Sequence, residues 1–153
     1  MSPIRRATIK DAETICHHRL RMFVDSGLGD ESLMPDVIAQ FRRWVTPRLE
    51  NETYLGWLIE KGDRSVAGIG MWLMDYAPNF RDARGTRAYL MNMYVAPEMR
   101  RRGLARQLVD AAVQEARARQ IRVITLHATK VGRSLYEQYG FRPTTEMMLQ
   151  QEF

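Results

Sequence analysis

The chain has 153 residues, a mass of 17.8 kDa and a formal net charge of +5, enough for one domain with a real core. No apolar run is long enough to cross a bilayer, and the start, Met1-Ser2-Pro3-Ile4-Arg5-Arg6, lacks the apolar core of a signal peptide, so a cytoplasmic protein without membrane partners is expected. The one cysteine, Cys16, excludes an intrachain disulfide and a cysteine-built zinc cage, and the basic residues, nearly all arginine, are scattered in pairs such as Arg5-Arg6 and Arg42-Arg43 without interleaved aromatics, so nucleic acid is not the expected partner.

Residues 4–9 are a short strand. Asp11 then offers an N-cap for a helix running to about Ser26, with Cys16 among its apolar positions as an expected buried thiol. Residues 27–32 form a loop. Pro35 suits the first turn of a second helix, which runs to about Leu49. Its stripe of Val37, Phe41, Trp44 and Val45 reads as core, while its polar side and the preceding loop are placed to wall a substrate pocket. Residues 54–60 and 65–76 are strands joined by a hairpin at 61–64, with Gly68 and Gly70 marking a bulge or a close backbone approach. Residues 77–86 are a loop. Residues 87–95 are apolar on both faces, as in a central strand covered on both sides.

Residues 101–120 give the clearest helix, with Leu104, Leu108, Ala111, Ala112 and Ala116 facing inward. The strand at 123–128 follows a helix and should pair parallel to the 87–95 strand through a right-handed crossover. A short helix at 132–139 closes at Gly140, and a last strand covers about residues 145–150. The resulting class is α/β (α+β), a mixed central sheet with helices on both faces, in the order β-α-α-β-β-β-α-β-α-β.

The most informative stretch is Asn92-Met93-Tyr94-Val95-Ala96-Pro97-Glu98-Met99-Arg100-Arg101-Arg102-Gly103-Leu104-Ala105. It is a strand, a turn and an arginine- and glycine-bearing helix start. The amides of a first helical turn point one way and the helix dipole adds to their pull on an anion. Three arginines at a helix N-terminus oppose that dipole unless an anion is present, so the segment reads as a pyrophosphate cradle.

Arg100-x-x-Gly103-x-Ala105 resembles the (Gln/Arg)-x-x-Gly-x-(Gly/Ala) signature of the GNAT (Gcn5-related N-acetyltransferase) family. A second segment, Gly132-Arg133-Ser134-Leu135-Tyr136-Glu137-Gln138-Tyr139-Gly140-Phe141, resembles that family's Leu-Tyr-Glu-x-x-Gly-Phe ending. The element order matches the GNAT topology along the whole chain. The resemblance implies an acetyl-CoA-dependent N-acetyltransferase that holds acetyl-CoA as co-substrate, requires no metal and acts on an amine of a small molecule or protein through a ternary complex.

It also implies roles, residue by residue. The backbone of Met93, Tyr94 and Val95 would hold the pantetheine arm as an added strand, with an amide near Met93 polarising the thioester carbonyl. The amides of Arg101, Arg102, Gly103, Leu104, Ala105 and Arg106, reinforced by Arg100, would hold the pyrophosphate. Arg133 is carried over with the second signature. Tyr136 would protonate the departing thiolate, since a phenol is protonated at neutral pH. Many members carry Asn seven residues before that tyrosine; here the position is Thr129, a shorter hydroxyl.

The chemistry also needs a base for the attacking ammonium. No glutamate sits on the 87–95 strand. His127, Asp75 and a water chain are the alternatives, imidazole because it can accept a proton near neutrality. Asp30 and Glu31 stand where they could attract a cationic substrate. Two other readings keep the fold: a different acyl donor or acceptor, and a catalytically silent acyl-CoA sensor. The resemblance and the apolar Met147, Met148 and Leu149 near a terminal strand edge lead to an expected homodimer.

Overall fold

The computed structural model describes residues 3–153. Its elements run β1 (Ile4–Arg6), α1 (Ala12–Asp25), α2 (Met34–Glu50), β2 (Tyr54–Lys61), β3 (Arg64–Asp75), β4 (Thr86–Val95), α3 (Leu104–Ala118), β5 (Ile124–Leu126) and α4 (Arg133–Tyr139). One sheet holds all five strands in the order β1-β2-β3-β4-β5. The first four pair antiparallel and β5 runs parallel to β4, as a strand delivered by a crossover helix must. Among the described residues no helix is long and apolar enough to cross a membrane.

Local chemistry sets the boundaries. Thr8 and Asp11 cap the turn before α1 reciprocally: the Thr8 amide donates to Asp11 Oδ2 at 2.8 Å and the Thr8 hydroxyl accepts from the Lys10 amide at 3.3 Å. Arg5 forks onto the same carboxylate at 2.9 and 2.8 Å and holds it below the usual carboxylate range. Pro35 lies in the first turn of α2, where a missing N–H costs nothing.

The strands alternate between two cores. Leu55, Trp57 and Ile59 of β2 point to the face covered by α3, together with Leu104, Leu108, Val109, Ala112 and Ala116. Tyr54 and Leu58 point to the other face, against Ile15 and Cys16 of α1 and Phe41 and Val45 of α2. Leu108, Val109 and Val45 are fully buried; each such aliphatic side chain contributes about 2 kcal/mol of transfer free energy. Helices therefore cover both faces, and Cys16 is a buried thiol whose ionisation burial disfavours.

The C-terminus departs from expectation. Residues 145–150 form no strand, and nothing from residue 141 onward is regular. Met147, Met148 and Leu149 are 94%, 80% and 86% exposed. A strand needs a backbone partner, and β5, which Glu146 approaches at His127, has three residues rather than the six expected at 123–128.

Candidate active site

The site begins with an irregularity in β4. Gly68 faces Tyr94 and Gly70 faces Met91, so two steps along β3 span three along β4. The extra residue is a bulge, with Asn92 at φ 56° in the left-handed region. Asn92 is one of the residue types that tolerates this conformation. Its side chain is buried and engaged at both polar atoms: Nδ2 donates to the Tyr54 hydroxyl at 2.8 Å and Oδ1 accepts from Arg19 Nη1 at 2.7 Å. Gly70 makes room beneath, since a Cβ there would sit 1.9 Å from the Tyr54 oxygen.

Next to the bulge the sheet opens. The β4–β5 ladder ends at Leu90 opposite Leu126, after only three pairs. From Met91 to Val95 the β5-side edge of β4 has no neighbouring strand. An extended amide-bearing chain can add there by strand augmentation.

β4 then leads into α3. Arg101 (φ 61°) and Gly103 (φ 79°) are both left-handed, a combination that gathers successive amides into an anion-binding concavity. Gly103 occupies the N-cap position and offers no side chain; no side chain caps the helix and no acidic residue lies in its first turn. Space above Gly103 is open, with nothing within 4 Å of where a Cβ would be. Among the described residues no side chain accepts from the first-turn amides, which leaves them open to an anion. This fits the pyrophosphate group of acetyl-CoA. Arg100 does not join them directly: its Nε donates to the Val95 carbonyl at 3.0 Å and its Nη2 pairs with Asp25 at 2.9 Å, bracing the turn against α1.

α4 brings in Tyr136, 9% exposed, whose ring packs edge-on to Phe141 with centroids 5.8 Å apart. Burial pushes its phenol up to about 12, so the group carries its proton throughout the neutral range. Its hydroxyl has no protein partner and is not sealed from solvent. Thr129 Oγ1 accepts from the Gly132 amide at 3.1 Å and so shapes the turn into α4, while Arg133 pairs with Glu137 one turn on.

On the α1–α2 side of the sheet lies a cavity of about 850 Å³. Arg19, Phe41, Arg43 and Trp44 line it from the helices, Trp72, Tyr89 and Met91 from the sheet, and His127 from just beyond β5. Trp44 meets Trp72 edge-on at 5.0 Å, and Trp72 meets Tyr89 edge-on at 6.5 Å. The Tyr89 hydroxyl and His127 Nδ1 are 2.5 Å apart, and His127 Nε2 stands 3.6 Å from Glu146. A second hollow, about 620 Å³ and lined by Arg84, Arg117, Arg122 and their neighbours, contains none of the site residues.

The structure thus gathers Met93, Tyr94, Val95 and the residues from Arg100 to Arg106 at one end of β4, and sets His127 on the cavity. Asp75 is exposed at the end of β3 and does not line it. Asp30 is turned into its own loop, accepting from the Ser32 amide at 2.9 Å and hydroxyl at 2.8 Å, and neither Asp30 nor Glu31 reaches the cavity. Arg19, Trp72, Tyr89, Asn92 and Glu146 escaped the sequence reading. Arg19 among the apolar positions of α1 and Asn92 inside an apolar strand were visible signals; Glu146 had none. Among the described residues no group of three or more His, Cys, Asp or Glu side chains could hold a metal ion.

A family model described as the acetyltransferase (GNAT) family matches residues 13–141, the span that carries both signatures and the bulge. The chain belongs to the GNAT family. GNAT structures resemble it closely. A GCN5-related N-acetyltransferase from Ralstonia eutropha JMP134 is 36% identical, with 99% of each chain covered and a TM-score of 0.94. A predicted acetyltransferase from Clostridium acetobutylicum, solved with acetyl-CoA, is 30% identical, covers 99% of this chain and 96% of its own, and gives a TM-score of 0.90. An aminoglycoside acetyltransferase from an uncultured soil metagenomic sample shares the GNAT fold at 17% identity, covering 100% and 99% with a TM-score of 0.69. No curated protein matches the chain.

Proposed function

We propose that the protein is an acetyl-CoA-dependent N-acetyltransferase that acetylates a primary amine by direct attack in a ternary complex. The observation that carries this is the bulged, splayed end of β4 running into an uncapped, glycine-opened helix start, with the free Tyr136 hydroxyl nearby on α4. Acetyl-CoA, when bound, supplies the activated acetyl group. The rest falls to the chain's own residues. The amides at Arg101–Arg106 bind the anion, the β4 edge at Met93, Tyr94 and Val95 orients the arm, and an amide near Met93 polarises the acyl oxygen. Thr129 and Arg133 flank Tyr136 and line the same path.

The acceptor occupies the cavity, and its ammonium loses a proton before attack. Tyr89 takes that proton and passes its own to His127 Nδ1, with Glu146 facing the imidazolium. Asp75, outside the cavity, fits the role less well. The acetyl–sulfur bond breaks as the acetyl–nitrogen bond forms, Tyr136 gives its proton to the sulfur, and the second proton lost by the attacking nitrogen returns through water to the Tyr136 oxygen. The apolar arm at Met147–Leu149 supports self-pairing, which sedimentation at micromolar concentration checks; a monomer alone counts against it.

Free-thiol release in the presence of acetyl-CoA and a panel of amines tests the activity. Amine-dependent release supports it. Tight acetyl-CoA binding with no amine-dependent release favours the silent sensor, and preference for another acyl-CoA changes the donor.

A further inference from the structure

We propose that the acceptor is a small amine that carries a carboxylate beside an apolar or aromatic body, as an amino acid does; this rests on the acetyltransferase reading of the site. The inference starts from Arg19. It lies largely within the protein, between the rings of Phe23 and Phe41 at 4.8 and 4.5 Å. Its one protein hydrogen bond goes from Nη1 to the neutral Asn92 amide. Nε is sealed without a partner. Nη2 has no acceptor and is not sealed, and the residue lines the cavity. Among the described residues no carboxylate pairs with Arg19, whereas the more exposed Arg5, Arg6, Arg21, Arg42, Arg64 and Arg100 all have one.

A guanidinium removed from water and left without a counter-charge is costly, and the cost falls when an anion arrives. Guanidinium geometry suits carboxylate. Arg43 adds a second positive charge to the lining, and no acidic side chain is part of it among the described residues. A polycation is therefore disfavoured. The remaining wall, Trp44, Trp72, Tyr89 and Met91, is apolar and aromatic and suits a planar or aliphatic body. The polar pair Tyr89–His127 is left for the amine. One end of the cavity thus takes a negative group, the middle an apolar one, and the third feature a proton from nitrogen.

The test compares phenylalanine with phenethylamine, which differ by the carboxylate alone, by free-thiol release at saturating acetyl-CoA. In the parent, kcat/KM for phenylalanine should exceed that for phenethylamine by about tenfold or more. Arg19→Met should lower kcat/KM for phenylalanine about tenfold more than that for phenethylamine and so erase most of this ratio. Melting and circular dichroism check that the variant folds; if it does not, Arg43→Gln must shrink the ratio and the parent ratio decides. An equal or inverted ratio, a preference for spermidine over both, or an Arg19→Met enzyme that keeps the preference overturns the inference. If no amine releases thiol, the acetyltransferase reading fails, and calorimetry of the same two compounds with parent and Arg19→Met still decides which group the cavity recognises.

Discussion

The two halves of the proposed substrate site are built from different materials. The cofactor half is backbone: an unpaired stretch of β4, a bulge, and amides exposed by Arg101 and Gly103 in left-handed conformation. The acceptor half is side chain: Arg19 from α1, Trp44 from α2, Trp72 from β3, Tyr89 from β4 and His127 beyond β5. Backbone geometry can be held by a few residues close in sequence. A side-chain cavity drawn from five segments can be altered one residue at a time. A fixed donor site beside a variable acceptor site follows from that division.

The first way to break the comparison is at Gly103. Gly103→Glu places a strained, negatively charged side chain into the open space over the first-turn amides. Calorimetry should find no measurable acetyl-CoA binding, with the melting curve still cooperative. Retained affinity would remove the cradle from this turn.

Next is Tyr136. Tyr136→Phe removes one oxygen and should lower turnover about a hundredfold while acetyl-CoA affinity and folding stay near the parent values. Turnover within about twofold of the parent across pH, with product release shown not to limit the rate, would make it a packing residue.

The third substitution strikes the joint between the halves. Asn92→Ala leaves the Tyr54 hydroxyl and the Arg19 guanidinium short of a partner. It should cost about 2 kcal/mol in denaturant unfolding and weaken both substrates rather than one. A loss confined to acetyl-CoA would show that the side chain serves the bulge alone.

The smallest effect concerns His18 of α1, buried against β3 with its ring tilted against that of Tyr94, centroids 4.8 Å apart. Burial pushes its imidazole down to about 4 from 6.5. The unfolded chain takes up a proton below about pH 6.5 that the folded chain refuses until about pH 4. Its contribution is complete above 6.5 and is lost as pH falls through that window. The loss is about 1 kcal/mol between about pH 7 and pH 5.5. Urea midpoints should show this decline, and His18→Gln should flatten it.

The same division explains what the sequence disclosed. The fold and the cradle are local patterns: alternation in β2 and β3, the 3.6-residue stripe of α3, a glycine three residues after Arg100. Each could be read within a short window. The cavity could not, because the register that places Trp72 against Trp44, or His127 against Tyr89, belongs to the assembled sheet. Trp44 was assigned to the core by its spacing, and its ring does pack on Phe41 at 5.8 Å, yet it also forms the cavity wall. Asp30 and Glu31 were placed by sequence at the mouth of a pocket that their loop does not reach. The strand expected at 145–150 failed because its apolar residues satisfied the pattern while β5, three residues long, offers little backbone to pair with.

Asn92 belongs to both halves. Its main chain makes the bulge that opens β4, and its amide side chain holds Arg19. If acetyl-CoA docks along this edge as proposed, any shift of the bulge is felt at the guanidinium, and an acceptor that pulls on Arg19 is felt at the bulge. Binding of the two substrates is expected to be cooperative, and thermodynamic reciprocity makes the factor the same in either order of addition.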